Sequence, residues 1–144
     1  MTDLLHIVCP GCDATNRVPR QRLADGARCG KCKQALFAGR PVEFTRANFD
    51  RQISGNDIPV VVDFWASWCG PCRMMAPAFE QAAMHLEPRV RLAKLDTEAH
   101  SEIAARFGIR SIPTLIAFKG GREIARQSGA LDFAGLVRWI GSQA

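Results

Sequence analysis

The stretch Val60-Val61-Val62-Asp63-Phe64-Trp65-Ala66-Ser67-Trp68-Cys69-Gly70-Pro71-Cys72-Arg73-Met74-Met75-Ala76-Pro77 decides the fold. Its first six residues are a continuous apolar run broken by one carboxylate, the pattern of a central strand buried on both faces. Past a short loop around Trp68, a long helix is predicted from about Cys69 to Leu86, bent where Pro77 removes a backbone donor. Two cysteines therefore fall where a buried strand meets a helix N-terminus. Unpaired amides and the helix dipole stabilise negative charge there, and the thiolate form of cysteine is the one that attacks a disulfide. Cys69 reads as a nucleophile. Cys72, one turn on, is placed to attack a mixed disulfide and close a ring across the first turn. Pro71 suits an early helical position, where its missing donor would have no partner anyway.

Outward from this stretch the elements alternate. Val42 to Phe44 reads as a short strand and Arg46 to Ile53 as a helix behind an N-capping Thr45, with Ser54 to Asp57 as a loop. Val90 to Leu95 reads as a strand and Ser101 to Phe107 as a helix closed by Gly108. Thr114 to Phe118 and Glu123 to Gln127 form a hairpin across Gly120-Gly121. Phe133, Leu136, Val137 and Ile140 recur at i, i+3, i+4 and i+7, one apolar stripe of a final helix. The order predicts an α/β fold whose sheet mixes parallel and antiparallel strands.

The first segment differs in character. It holds few large apolar residues, so burial alone would not hold it and a staple is needed. Cys9-Pro10-Gly11-Cys12 and Cys29-Gly30-Lys31-Cys32 are separated by sixteen residues, within the spacing of a four-cysteine zinc site. Two intervening residues let a tight turn aim both thiolates at one ion, and two such turns complete a tetrahedron. Four protein ligands leave no position for water, which makes the ion structural. Two disulfides, or a pair of redox-active dithiols, are the alternative readings of the same cysteines. His6 lies nearby but is read as a surface residue. The boundary is placed near Gly39-Arg40-Pro41, giving a zinc-binding module over residues 1–39 and a larger domain over 40–144.

A chain of 144 residues with 47% hydrophobic and 23% charged residues is an ordinary globular composition and excludes intrinsic disorder. No run approaches the roughly 18 apolar residues of a membrane span. The start, MTDLLHIVCPGC, lacks the basic and apolar regions of a signal peptide. A cytosolic chain is expected, where reducing buffers disfavour structural disulfides and point three Cys-x-x-Cys pairs toward metal binding or redox catalysis. The net charge of +5 is concentrated in residues 1 to 40, which hold seven Lys/Arg against three Asp/Glu. A basic head can touch nucleic acid or an acidic protein face, but no aromatic-rich stacking surface accompanies it. A solvated basic surface is the plainer reading, and no nucleic-acid partner is expected.

WCGPC, together with DFWASWCGPCRMMAP, VRLAKLD, FGIRSIPTL, FKGGR and SGAL, resembles the successive sequence blocks of the thioredoxin family over about 100 residues from Val42 to the C-terminus. With the four-cysteine head, the chain resembles the zinc-containing bacterial thioredoxin 2 branch. The resemblance implies a thioredoxin fold, a central mixed sheet flanked by helices. It implies protein-disulfide reduction by a redox-active Cys69–Cys72 pair, with a lowered pKa at the nucleophile. It also implies electron transport and cell redox homeostasis, recycling by a flavin-dependent thioredoxin reductase using NADPH, disulfide-containing substrate proteins, and a monomer.

Residue roles follow the same resemblance. Asp63 matches the buried carboxylate that takes a proton, through water, from the resolving thiol; burial would raise its pKa and make exchange near neutrality feasible. Lys94 matches the lysine beside that carboxylate, although from the strand pattern alone it reads as an exposed lysine. Pro113 matches the cis-proline facing the redox pair, and Ile112 the residue whose backbone pairs with an extended substrate segment. Trp68, Gly70, Pro71 and Gly129 would complete an apolar collar, with Trp65 assigned to the core. Ser111 and Ser128 stand where many members carry Gly and Val, which implies a more polar collar. One zinc ion is the sole added cofactor implied. Two other functions remain open: a disulfide oxidase or isomerase on the same fold, and a binding or redox-sensing protein acting through the zinc module.

Overall fold

The computed structural model describes residues 3–144. The head opens with an antiparallel hairpin of β1 (Leu4–Val8) and β2 (Thr15–Pro19), followed by a single 3₁₀ turn over Arg20–Arg22. The body contains β3 (Val42–Phe44), α1 (Phe49–Gly55), β4 (Val60–Trp65), α2 (Gly70–Leu86), β5 (Arg91–Asp96), α3 (Ser101–Arg106), β6 (Thr114–Lys119), β7 (Arg122–Ser128) and α4 (Phe133–Gly141). Its five strands lie in the order β3-β5-β4-β6-β7, with β3, β5 and β4 parallel and β6 and β7 antiparallel. This is the mixed sheet flanked by helices that the resemblance implies.

The two-residue period of β4 divides its side chains between two layers. Val61 packs with Met75, Phe79 and Leu86 of α2 and Leu136 and Ile140 of α4. Val60, Val62 and Phe64 face the opposite layer with Phe49 and Ile53 of α1 and Ile103 of α3. Asp63 falls on the first of these faces, beside Lys94 on β5 and Leu115 on β6.

Two boundaries move from their expected places. The helix expected from Arg46 begins at Phe49, because local side-chain bonds claim the preceding residues. The Asn48 side-chain oxygen accepts from the Thr45 amide at 2.7 Å and the Thr45 hydroxyl accepts from the Ala47 amide at 3.2 Å, closing a turn before the helix starts. At the other end α1 runs through Gly55 into the expected loop. Phe133, expected in the buried stripe, is 39% exposed at the first position of α4, and its ring lies 6.2 Å from that of His85.

The head has more core than its composition suggested. Leu5, Ile7, Val18, Leu23 and Leu36 are buried around Cys9 and Cys29, and Ile58 of the body completes the cluster. Asn56 and Asp57, expected as plain loop, lie along β1. The Asn56 side-chain oxygen accepts from the Val8 amide at 2.9 Å, and the Asp57 amide donates to the His6 carbonyl at 2.9 Å. A Cβ on Gly55 would come within 2.6 Å of Val8 Cγ2, so glycine permits this approach. His6 is exposed, as expected, and its Nδ1 pairs with Asp57 Oδ2 at 2.9 Å.

Deeper in the junction, the Gln52 amide donates to the Cys9 carbonyl at 3.1 Å and to Asp13 Oδ1 at 2.8 Å. Arg91, the first residue of β5, is 1% exposed and donates to the Val8 carbonyl at 3.2 Å. Its guanidinium lies 4.3 Å from the Phe37 ring centroid and 3.8 Å from the Glu87 carboxylate. Burial pushes the Glu87 carboxyl up to about 7 against the pull of Arg91.

The contrast along α4 is testable by urea denaturation. Leu136→Ala should lower stability by about 2–5 kcal/mol, as expected for a leucine truncated in a closed core. Phe133→Ala should cost less than about 1 kcal/mol, as for an exposed position.

Candidate active site

Two sulfur centres stand in the molecule. The first is at the C-terminal end of β4, where Ala66 to Trp68 lead into α2. Cys69 occupies the N-cap of that helix, and its sulfur accepts from the Cys72 amide at 3.2 Å. Gly70 and Pro71 begin the first turn. Cys69 and Cys72 are joined by a disulfide, a bond between the chain's own residues and so not a cofactor. Both cysteines are buried and pack with Ala66, Trp65 and Ile112. The helix dipole and free amides point at Cys69 and favour its thiolate when the disulfide is reduced.

The wall opposite is built from the loop before β6. The Ile112–Pro113 peptide bond is cis, and the Ile112 carbonyl oxygen lies 3.7 Å from the Cys69 sulfur. Gly129, with φ 94°, turns back so that its amide donates to the Pro113 carbonyl at 2.9 Å. The left-handed conformation there is one that L side chains avoid. Ser111 and Ser128 are both engaged by Thr114, whose hydroxyl donates to the Ser111 carbonyl at 2.6 Å and lies 3.4 Å from the Ser128 hydroxyl. Trp68 is 67% exposed beside exposed Gly70 and Pro71, an apolar surface around the disulfide.

On β4, six positions before Cys69, Asp63 is buried and its Oδ1 has no hydrogen-bond partner within the chain. Burial pushes its carboxyl up to about 7, with the Lys94 ammonium pulling the other way. Lys94 is half-buried, against the exposed position that its strand suggests, because the alternation of β5 turns it to the Asp63 face. Its ammonium lies 4.4 Å from the Trp65 ring centroid, a cation–π contact. Trp65 is thus half-buried against the redox pair instead of belonging wholly to the core. Met74 was not singled out from the sequence, yet it is 82% exposed within two residues of Cys72. Its place among the apolar residues of α2 carried no signal that it points outward.

The second centre is in the head. The sulfurs of Cys9, Cys12, Cys29 and Cys32 all lie within 4.8 Å of one another. Cys9 and Cys32 are 3.5 Å apart and Cys12 and Cys29 3.6 Å. Tetrahedral zinc with bonds near 2.3 Å would set its sulfurs about 3.8 Å apart, so the spacing fits one ion. The two turns repeat one design. Cys9 and Cys29 each receive an amide at sulfur, from Gly11 at 3.3 Å and Lys31 at 3.4 Å. Asp13 and Lys33, each just past the second cysteine of its pair, adopt left-handed φ of 63° and 70° to close the turns. Amide donors, from Cys32 foremost, lower the Cys29 thiol to about 6, while burial raises that of Cys9. The chemistry of the donor set suits zinc.

Among the described residues no helix is long and apolar enough to cross a membrane. A family model described as Thioredoxin matches residues 40–142, and one described as Thioredoxin 2, N-terminal, matches residues 8–34. The chain is 49% identical over 137 residues to Thioredoxin C-3 of Corynebacterium nephridii, covering 95% of this chain and 94% of that protein. It is 44% identical over 104 residues to the Bifunctional thioredoxin reductase/thioredoxin of Mycobacterium leprae, covering 72% of this chain and 23% of that protein. The structure of an N21Q mutant thioredoxin from Halobacterium salinarum NRC-1 superposes with a TM-score of 0.66 at 31% identity, covering 74% of this chain and 93% of that one. Sequence along nearly the whole chain and the fold of the body agree, and the chain belongs to the thioredoxin family of thiol–disulfide oxidoreductases.

Proposed function

We propose that the chain is a general reductant of protein disulfides in the cytoplasm, acting as a monomer through Cys69 and Cys72 and recharged by a thioredoxin reductase. The observation that carries the reading is the Cys69–Cys72 pair at the N-cap of α2, flanked by the exposed apolar surface of Trp68. The Mycobacterium leprae protein, whose name joins a thioredoxin to a thioredoxin reductase, supports the recycling partner.

In the reduced chain the Cys69 thiolate attacks one sulfur of a substrate disulfide. That S–S bond breaks, one substrate sulfur leaves as a thiolate, and a mixed disulfide with Cys69 forms. Cys72 loses its proton, attacks the Cys69 sulfur and expels the second substrate sulfur. Two electrons have passed to the substrate and the Cys69–Cys72 disulfide has closed. Asp63, held near neutrality by burial, is the group we assign to take the Cys72 proton through water, with Lys94 favouring its ionised form. Ile112, beside the Cys69 sulfur, offers main-chain groups to an extended substrate segment. Pro113, Gly129, Gly70 and Pro71 shape the surface against which that segment lies. Main-chain pairing suits a reductant of many substrates, since it reads little side-chain identity.

The head, residues 1–39, is proposed as a structural zinc module on a thioredoxin domain of residues 40–144; Met1 and Thr2 lie outside the described residues. Cys9, Cys12, Cys29 and Cys32 would hold the ion, which when bound supplies a rigid crosslink between the two turns.

NADPH-coupled reduction of insulin with thioredoxin reductase present tests the activity, which should vanish in Cys69→Ser. Equal turnover by that variant, or none by the wild type although the reductase reduces its disulfide, would sink the reading.

Asp63→Asn should lower turnover by on the order of 100-fold at pH 8, where the wild-type carboxylate is ionised, and should remove the inflection near pH 7. The same shift has a stability consequence. Folded Asp63 titrates near 7 and an unfolded aspartate near 4, so the native state holds the extra proton between those values. Stability should therefore fall as pH rises through that window, and urea midpoints of Asp63→Asn should lack this decline.

Metal analysis should find about one zinc per chain. Cys29→Ser should lose it, together with amide-exchange protection of residues 4–36.

A further inference from the structure

Arg91 is the anomaly of the junction. Its guanidinium is shut away from water, where an uncompensated charge is strongly unfavourable. The partners on its own side are poor. Glu87 stands at 3.8 Å, beyond a good hydrogen bond, and neither Glu87 Oε2 nor Arg91 Nε has a hydrogen-bond partner within the chain. What the guanidinium does touch belongs to the head. It donates to the carbonyl of Val8, the residue before Cys9, and lies on the ring of Phe37. Four thiolates around one divalent zinc carry a net charge of about −2, and an ion of that charge in an apolar cluster needs a counter-charge. Gln52 and Asn56, the other buried side chains reaching this segment, are neutral, and the cations bonded to the two turns, Arg51, Lys33 and Arg28, are exposed to water.

We propose that Arg91 is the counter-charge of the metal centre: a positioning residue, fixed at the start of β5, that stabilises the loaded four-cysteine site and is itself stabilised by it. The proposal rests on the zinc reading of the four cysteines. Its consequence is a reciprocal coupling between the metal and the docking of the head. Binding zinc strengthens the hold of Arg91 on the Cys9 turn, and removing zinc leaves Glu87, at 3.8 Å, as the facing charge of a buried cation. That cation sits on the strand next to β4, so the metal state is felt within the catalytic domain without any zinc thiol approaching Cys69.

The test compares the full-length wild type with Arg91→Met, Arg91→Gln and Arg91→Lys. Zinc affinity is measured by competition with a chromophoric chelator, and urea unfolding is followed with and without zinc. Arg91→Met and Arg91→Gln should bind zinc about 10-fold to 100-fold more weakly, the range for outer-shell partners of a metal site, while Arg91→Lys stays close to wild type. In the zinc-free chain Arg91→Met should cost less stability than in the zinc-loaded chain, since without the metal only the 3.8 Å pairing with Glu87 and the contacts to Val8 and Phe37 are lost. Wild-type zinc affinity in both neutral variants would overturn the proposal. So would an equal loss of stability with and without zinc, which would make Arg91 a packing residue alone. If Arg91→Met does not fold, the affinity ratio between Arg91→Gln and Arg91→Lys decides the matter. Failure of the zinc reading would show separately, as a wild type that binds no zinc.

Discussion

Covering β4 on both faces is the constraint from which the redox site follows. With Val60, Val62 and Phe64 committed to one apolar layer and Val61 to the other, a slip of one residue would exchange the two sets. The register is therefore fixed, and with it the face on which Asp63 lies and the point at which the strand ends. The chain leaves the sheet at Ala66, and α2 is pinned across the same layer by Phe79, Ala82, Ala83 and Leu86. A helix held along its whole length presents its free amides at one place, and Cys69 stands there. The same burial that orients the helix deprives Asp63 of solvent, so the strand that leads to Cys69 also raises the proton affinity of its own carboxylate.

A different principle joins the head to the body. Ile58 is the one body residue in the head's core cluster, and hydrogen bonds make much of the rest of the described contact. Side chains of α1 and β5 reach main-chain groups around Cys9, and Asn56 and Asp57 satisfy β1 along its edge. Such bonds are directional, so they orient the four-cysteine turns more sharply than a greasy contact of equal area would. The head meets the starts of β4 and β5, whereas Cys69 lies past the end of β4. Five residue steps of extended strand, roughly 16 Å, run from the end of β4 that meets the head to the end that leads to Cys69.

Much of this was legible along the chain because it depends on local pattern. An apolar run, a Cys-x-x-Cys at a helix start, two further pairs at metal spacing and a stripe on α4 are all short-range signals, and Leu136 and Ile140 lie buried as the stripe predicts. The departures share a cause. Helix α1 starts late because Asn48 and Thr45 bond to neighbouring backbone, a competition that periodicity does not register. Phe133 is on the stripe but at its first turn, beyond the edge of the layer it was expected to join.

The sequence by itself determined the element order, the chemistry of the two cysteine sets and the carboxylate on the central strand, since these are properties of residue type and spacing. Only the tertiary structure decided what those groups meet. Lys94 lies over Trp65 because neighbouring strands bring them to one face. Arg91 and Gln52 reach the Cys9 turn from residues 82 and 43 positions away. The energy of a buried charge depends on everything packed around it, and that surrounding exists only once the chain has folded.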